Sequence, residues 1–187
     1  MFVCSMGDLF HKDVPTSYIA QVFRMMEYCT QHIFLVLTKR PERMKQLING
    51  VVTGWETEHR KHIWLGVTAE NQEQADKRIP ILLSVPAAVR FLSIEPMLEP
   101  LTLAGFDGVN TYRPWLDKVA WGTPLINWVI CGGESGPGAR PMHPDWARSL
   151  RDECANAGVP FFLKQMSING KMVKMPELDG KVWGETP

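Results

Sequence analysis

The sequence lacks a long hydrophobic run and has no excess of charge of either sign. No apolar stretch approaches the about 20 residues that a membrane-spanning helix needs, and the amino terminus lacks the basic and then apolar pattern of a secretory signal. Lysine plus arginine and aspartate plus glutamate each number 20, so the formal net charge is zero. That balance argues against non-specific binding to a nucleic-acid backbone, which depends on a positive field. We therefore expect a cytoplasmic protein that does not associate with membranes.

Cysteine and histidine patterns of metal sites are also absent. The four cysteines, at positions 4, 29, 131 and 154, stand far apart and form no CxxC pair. The five histidines show neither an HxH nor an HExxH spacing, so the sequence gives no support for a zinc site. We interpret the cysteines as reduced thiols and expect no metal site.

A repeated pattern is the most informative feature that the sequence does have. At intervals of about thirty residues, a short apolar run ends abruptly in a small polar or charged cluster. Such runs are typical of strands buried on both faces of a parallel sheet, and the intervening lengths suit the crossover helices that parallel neighbours need. The six runs with their clusters are Phe2–Asp8, Phe34–Arg40, Ile63–Glu70, Val89–Pro96, Trp128–Ser135 and Phe161–Gln165.

This pattern predicts an α/β fold, a partial (βα) TIM-like barrel of about six parallel strands with crossover helices. A chain of 187 residues suits a single domain, with a core over residues 1–165 and a hairpin-like tail over 166–187. Two dipeptides in the tail, Asn169-Gly170 and Asp179-Gly180, are typical hairpin turns.

Helix signals lie between the predicted strands. We predict helices that are N-capped by Asp13 and Asn71 and helices that begin at Pro41 and Pro144. Pro80 lies inside the helix that is predicted to begin after Asn71, so we expect a kink or a break there. Residues 99–126 interrupt the rhythm, and we interpret them as a structured loop with a short helical turn that forms a lid over the strand ends.

Ligands of such folds bind beyond the carboxyl ends of the strands, where this sequence places its polar clusters. The cluster Thr38-Lys39-Arg40 puts a hydroxyl and two cations at the start of a helix, which suits a carboxylate or a phosphate. Ser93 and Glu95 point to the same side by strand alternation. The alternative for the first cluster is a helix cap with solvated cations.

A glycine-rich turn follows the fifth predicted strand. Gly132 and Gly133 permit a ligand to approach the backbone and its amide donors, and Glu134 suits an amino group or a ribose hydroxyl. The alternative is a tight turn without a ligand. Lys164 is expected to pair with Glu95 or Glu134, and a structural ion pair is the alternative to an acid–base role there.

Taken together, these clusters resemble a phage- and prophage-associated family of unknown function that is related to radical S-adenosylmethionine (SAM) enzymes. The resemblance covers nearly the whole chain. The segments that carry it are Phe2–Phe10, Leu37–Met44, Trp64–Val67, Arg90–Pro96, Gly132–Met142, Phe162–Gln165 and Leu178–Gly180.

Members of that family resemble radical SAM proteins in having a three-cysteine loop for an iron–sulfur cluster after the first strand of the barrel. Here Cys4 is isolated, and the match begins at what resembles the second strand. Cluster ligation needs several thiolates close together. The resemblance therefore implies either a truncated gene product without its first βα unit or a protein that has lost the cluster, and we expect no iron–sulfur cluster in this chain.

The resemblance implies SAM as the cofactor and assigns residues to it by motif position. Asp8 lies where radical SAM proteins hold the methionine amino group, and the Thr38-Lys39 pair resembles that of the spore photoproduct lyase-like group. The next strand ends would face the ribose or the substrate, and the glycine-rich turn would line the adenine side. The implied cofactor-binding residues are Asp8, Thr38, Lys39, Thr68, Ser93, Glu95, Gly132, Gly133 and Glu134.

The leading hypothesis for function is thus a truncated or cluster-less radical-SAM-like protein of a bacterial host cytoplasm, with a ligand site at the strand ends. Its complete relatives would cleave SAM reductively and act on an unknown substrate, with a nucleotide or nucleic acid suggested by the phage context. The alternative is a non-enzymatic module that binds a nucleotide or a protein in phage–host interaction. Catalytic residues remain unassigned.

Loss of a first βα unit would leave an exposed parallel edge at the first predicted strand, Phe2–Ser5. Exposed edges favour aggregation unless another segment covers them. We expect either the hairpin-like tail or a homodimer contact to cover this edge.

Overall fold

The computed structural model of the chain describes residues 1–50, 60–106, 112–118 and 125–187. It contains four helices and eleven strands in these residues. The strands are β1 (Phe2–Val3), β2 (Phe34–Thr38), β3 (Ile63–Thr68), β4 (Arg90–Ile94), β5 (Ala104–Phe106), β6 (Tyr112–Pro114), β7 (Trp128–Gly132), β8 (Phe161–Ile168), β9 (Lys171–Lys174), β10 (Glu177–Leu178) and β11 (Lys181–Val182). The helices are α1 (Thr16–Tyr28), α2 (Pro41–Gly50), α3 (Gln72–Leu83) and α4 (Pro144–Ala157).

A curled seven-stranded sheet forms the centre of the molecule, in the order β1-β2-β3-β4-β7-β8-β9. Every neighbouring pair from β1 to β8 is parallel, and only the β8–β9 pair is antiparallel. The predicted α/β class with six parallel strands is therefore confirmed, and the sheet has the shape of a half-barrel.

The helices cover one face of the sheet. Helix α1 contributes the buried stripe Ile19, Phe23 and Met26, whose spacing of three and four residues places them on one side of the helix. These side chains pack with the outward-facing residues of the strands in one continuous core. Within the described ranges, no helix has the length and apolar character needed to cross a membrane.

The concave face is filled by aromatic rings that reach across the sheet. The Phe2 and Phe91 rings lie 6.4 Å apart although two strands separate β1 from β4. The Trp64 and Trp128 rings lie 6.0 Å apart across one intervening strand. Such contacts between non-neighbouring strands require a strongly curved sheet. Gly66 makes room for this layer, because a Cβ at that position would stand 2.5 Å from the Phe91 ring.

The segment between β4 and β7 does not adopt the expected conformation in its described part. Strands β5 and β6 form a short antiparallel pair, which the sequence did not predict, and the expected helical turn is not found in the described part of residues 99–126. The N–H of Thr102 bonds the side chain of Gln72 at the start of α3, and the Glu153 carboxylate in α4 accepts two backbone N–H groups of the segment. The described part of the segment thus fills the helix layer between α3 and α4, and the remainder of the predicted lid lies outside the described residues.

The carboxyl-terminal tail covers the β8 side of the sheet. The N–H of Leu163 in β8 donates to the Trp183 carbonyl at 2.8 Å, and the N–H of Glu185 donates to the Phe161 carbonyl at 3.2 Å. The Trp128 indole N–H bonds the Glu185 carbonyl at 2.8 Å, so the tail also contacts the aromatic layer. The expectation that the tail covers the β1 edge is therefore wrong, because the backbone of this segment pairs with β8.

The two predicted tail hairpins are confirmed. Asn169-Gly170 joins β8 to β9, and Asp179-Gly180 joins β10 to β11, with positive φ at all four turn residues. Type I′ turns need this conformation, which asparagine, aspartate and glycine tolerate best.

Three predicted helix starts agree with the structure, and two other expectations differ. Asn71 caps α3 by accepting the N–H of Gln74, and helices α2 and α4 begin at Pro41 and Pro144, as predicted. Helix α1 begins three residues after Asp13, with Pro15 in the cap position and no side-chain cap. Helix α3 runs through Pro80 without a break, because the proline lies near its last turn.

We expect Gly66→Ala to lower the free energy of unfolding by about 1–3 kcal/mol, the usual cost of overpacking a filled core. The Phe91 ring is fully buried against neighbouring rings and has no free space into which to move. Urea unfolding of both proteins at pH 7 measures the difference. Gly7→Ala is the matched control, because a Cβ at Gly7 meets nothing within 4 Å; equal stability of the two variants would contradict this packing.

Candidate functional site

Four carboxylates at the carboxyl ends of the strands each form an ion pair with a lysine or an arginine. In each pair the carboxylate is shielded and the cation is the more exposed partner, with carboxylate exposure between 13% and 28% and cation exposure between 40% and 59%. The pairs and their N–O distances are Asp8–Arg40 (2.8 Å), Glu70–Lys39 (2.5 Å), Glu95–Lys164 (2.9 Å) and Glu134–Arg140 (2.6 Å).

Asp8 joins the loop after β1 to the end of β2. Its Oδ1 accepts the Thr38 hydroxyl at 2.8 Å and the Phe10 N–H at 2.9 Å. Its Oδ2 accepts the Lys39 N–H at 3.0 Å and the Arg40 guanidinium at 2.8 Å. Burial opposes ionisation of this carboxyl, but these donors, led by the Lys39 N–H, lower its pKa below the ordinary value.

These bonds account for the anion site that the sequence predicts at residues 38–40. The groups expected to bind a ligand carboxylate or phosphate bind the Asp8 carboxylate of the protein itself. Asp8 in turn uses both of its oxygens within the protein. A ligand amino group at Asp8 would therefore have to share or displace one of these four bonds.

Glu70 connects β3 to two cations. It accepts from Lys39 at 2.5 Å and from Arg78 at 2.8 Å, and Arg78 also donates to the Thr68 carbonyl at 2.7 Å. Burial opposes ionisation of the Glu70 carboxyl, but the bond from Lys39 and the nearby Arg78 lower its pKa. Lys39 thus points toward α3 and lies between two strand ends.

Glu95 follows β4 and bonds Lys164 of β8, as one of the two predicted pairings. A Cβ at Gly132 would stand 3.4 Å from the side chains of Glu95 and Gln165, so the glycine permits their close packing. Gln165 also bonds the Gly133 carbonyl, and the Gly133 N–H donates to the Gln165 carbonyl. The amide of Gly133, which the sequence suggests as a ligand donor, is therefore paired inside the protein.

Glu134 pairs with Arg140 of its own loop. Arg140 donates to it from its backbone N–H, from Nε and from a terminal nitrogen, at 2.8, 2.8 and 2.6 Å. These side-chain and backbone bonds lower the pKa of Glu134 to about 2. The exposed surface at this strand end is therefore the Arg140 guanidinium.

Two hydroxyls on the concave face differ from these carboxylates in their hydrogen bonding. Thr68 of β3 and Ser93 of β4 are direct neighbours in the parallel register, and only 4% and 3% of their surfaces are exposed. Neither hydroxyl forms a hydrogen bond within the part of the chain that the structure describes. Both oxygens keep some contact with solvent, because among the described residues only the Arg90 Nε is a fully buried side-chain nitrogen or oxygen without a partner. These two hydroxyls can therefore donate hydrogen bonds to a ligand and accept hydrogen bonds from it.

Thr68 lines a cavity of about 360 Å³ with Asp8, Thr38 and Lys39. The residues of β1 and its following loop, including Cys4, form the other wall. A second cavity of about 430 Å³ is lined by Lys39, Glu70, Arg78, Glu134 and Arg140, among other residues. The structure therefore groups Asp8, Thr38, Lys39 and Thr68 around one cavity and places Glu134 at the neighbouring one.

The remaining candidates do not build a metal centre in the described residues. No group of three or more His, Cys, Asp or Glu side chains stands close enough there to hold a metal ion. Cys131 and Cys154 are buried, and burial raises the pKa of both thiols. His143 caps α4 by accepting the N–H of Asp145. An iron–sulfur cluster, which needs thiolates, does not fit this set of donors.

Sequence reasoning missed three charged partners of this site. Glu70 directly follows β3, so its strand-end position was an available signal. Arg78 lies two turns into α3, and Arg140 lies six residues after Glu134 in an irregular loop. No spacing rule predicts either contact, because both depend on how the loop and the helix fold back onto the strand ends.

We expect Asp8→Asn to lower the free energy of unfolding at pH 7 by about 1–3 kcal/mol, since an amide cannot accept from all four donors. The folded-state pKa of Asp8 is lowered, so its contribution is present above the ordinary carboxyl pKa and is lost as the pH falls through the lowered value. Urea unfolding at pH 7 and pH 3 measures both effects. Asp13→Asn, at a largely exposed carboxylate, serves as the control; a loss of equal size there would contradict the role of Asp8.

Glu134 provides a spectroscopic test of the exposed ion pair. NMR titration of its side-chain carboxyl is expected to give a pKa of about 2 in the wild type. In Arg140→Gln the pKa should rise toward the ordinary glutamate value of about 4.3. An ordinary pKa in the wild-type protein would show that this pair does not form in solution.

Comparison with known proteins yields one finding on identity. No curated protein and no solved structure gives a significant match to the chain. A family model with the description protein of unknown function (DUF5131) matches residues 1–187, which is the whole chain. The chain therefore belongs to the DUF5131 family of proteins of unknown function.

Proposed function

We propose that the protein binds a nucleoside-type small molecule at the carboxyl ends of the parallel strands, and that SAM is the first candidate. The observation that carries the proposal is the pair of nearly buried, unpartnered hydroxyls of Thr68 and Ser93. Ribose hydroxyls both donate and accept hydrogen bonds, as these side chains do. A ligand that bonds them uses hydrogen-bonding groups that no other described residue occupies.

The surrounding charges support a ligand with an amino-acid group. Glu95 and Lys164 lie on the concave face above Ser93, and their side chains meet at 2.9 Å. A carboxylate next to an ammonium complements the two opposite charges of the methionine part of SAM. In this proposal Asp8, Thr38 and Lys39 form one wall of the site, and residues 132–134 form the opposite wall.

In this proposal the half-barrel is part of a TIM-like barrel, whose ligands bind at the carboxyl ends of the strands. The protein is then a relative of the radical SAM enzymes and is associated with phages, as the sequence resemblance implies. Bound SAM would supply an electrophilic sulfonium centre. The donor set does not fit an iron–sulfur cluster, so we assign this chain the tasks of binding and orienting the ligand and no redox step.

A second candidate is a non-enzymatic module that recognises a nucleotide or nucleic acid. It is favoured by the outward position of the cations in the four ion pairs. Lys39, Lys164 and Arg140 have about half or more of their side-chain surfaces exposed. Exposed cations beside a hydroxyl-lined cavity suit a phosphate-bearing nucleoside.

Calorimetric titration with SAM and with S-adenosylhomocysteine tests the proposal. Thr68→Val and Ser93→Ala should each weaken binding by about tenfold, the effect of leaving a ligand hydroxyl unpaired. Both variants should keep their thermal stability without ligand, because neither hydroxyl forms a hydrogen bond within the described residues. Thr30→Val and Ser17→Ala, at exposed positions, are the matched controls.

The outcomes of this titration separate the two candidates. Binding of ATP but not of SAM, weakened by Arg140→Gln, would favour the nucleotide module. Absence of heat with SAM, its homocysteine analogue and ATP would contradict both. Ligand binding that both hydroxyl variants leave unchanged would show that the ligand binds elsewhere.

A further inference from the structure

The exposed large apolar side chains are concentrated in the amino-terminal part of the chain. Eleven such residues occur among the described ones, and seven of them lie between Met1 and Ile33. Soluble monomers rarely expose such a concentration of apolar groups, and larger patches mark interaction sites. The seven residues are Met1, Phe2, Met6, Tyr18, Met25, Tyr28 and Ile33.

Helix α1 has a second apolar stripe beside the one that faces the core. Tyr18, Val22 and Met25 follow each other at steps of four and three residues and therefore lie on one side of the helix. They line a groove of about 440 Å³ together with Met1 and Phe34, and no charged side chain lines this groove. A helix at the surface of a monomer normally presents polar residues on this side.

The two edges of the sheet differ in how well they are protected from pairing with another chain. At one edge, β9 carries the exposed side chains of Lys171 and Lys174, and charged residues of this kind prevent pairing with other chains. At the other edge, β1 pairs with β2 on one side and has no strand on its outer side within the described part of the chain. This open edge lies directly beside the apolar stripe of α1.

We propose that a second copy of this chain covers the groove, in a two-fold symmetric dimer that pairs α1 with its copy and β1 with its copy in antiparallel orientation. Met1, Tyr18 and Met25 line the groove and are between 54% and 66% exposed. Tyr28, one turn after Met25, and Ile33, whose carbonyl accepts from the Met1 ammonium, extend this surface and are 76% and 48% exposed. The five residues offer roughly 600 Å² if each presents on the order of 200 Å² when bare. With the strand edge added, this approaches the about 800 Å² per partner of a standard interface.

A two-fold arrangement follows from the chemistry of the surface. The patch combines an apolar stripe with an unpaired strand edge, and both of these features can bind a copy of themselves. Such self-complementarity is the defining property of an isologous interface.

Analytical ultracentrifugation over a range of protein concentrations tests the dimer. The wild type should sediment as a dimer that dissociates on dilution, and Met25→Glu should raise the dimer Kd by more than tenfold. Met6→Glu is the matched control: Met6 is 99% exposed but does not line the groove, so this variant should remain dimeric. Gln21→Arg, at a polar residue of the groove lining, should also weaken the dimer and replaces Met25→Glu if that variant does not fold.

Two results would overturn the proposal. One is a wild type that stays monomeric at all concentrations. The other is a dimer whose Kd is unchanged in Met25→Glu and Gln21→Arg. A dimer that Met6→Glu disrupts as strongly as Met25→Glu would place the interface at the strand ends and would equally refute the groove.

Discussion

The packing of the Phe91 ring over Gly66 is the contact on which the shape of the molecule depends. It lets rings from non-neighbouring strands meet at the centre of the concave face, which requires the sheet to curl. The rings fill the part of this face nearer the amino ends of the strands, and Thr68 and Ser93 follow toward the carboxyl ends. The aromatic layer thus sets both the curvature of the half-barrel and the floor of the candidate site.

The strand ends show how much of a polar site is used by the protein itself. Asp8 occupies the anion site formed by residues 38–40, and the Gly133 amide is paired with Gln165. Such bonds fix the relative positions of the strand ends. We therefore propose that a ligand binds the two hydroxyls of the concave face, which form no hydrogen bond within the described residues, and the exposed cations around them.

The sequence predicts the six parallel strands, the hairpin turns and the Asn71 cap because each depends on residues close together in the chain. The sequence also predicts that Lys164 pairs with Glu95 or Glu134, because all three lie toward the carboxyl ends of parallel strands; the choice of Glu95 needs the structure. The bonds of Asp8, the contacts of Arg140 and the docking of the tail on β8 depend on loop conformation, for which no local pattern exists. The described part of the segment after β4 lies between α3 and α4, which its glycines and prolines do not predict, because they indicate irregularity but not position.

A titration of protein with carbon-13 labelled threonine methyl groups tests the central claim that a ligand binds above the Thr68–Ser93 pair. Addition of SAM should shift the methyl signals of Thr68 and Thr38, which line the same cavity. The signals of Thr16 and Thr30, both exposed and outside the cavity lining, should stay unchanged. Saturable shifts confined to other threonines, or none up to millimolar ligand, would contradict the account.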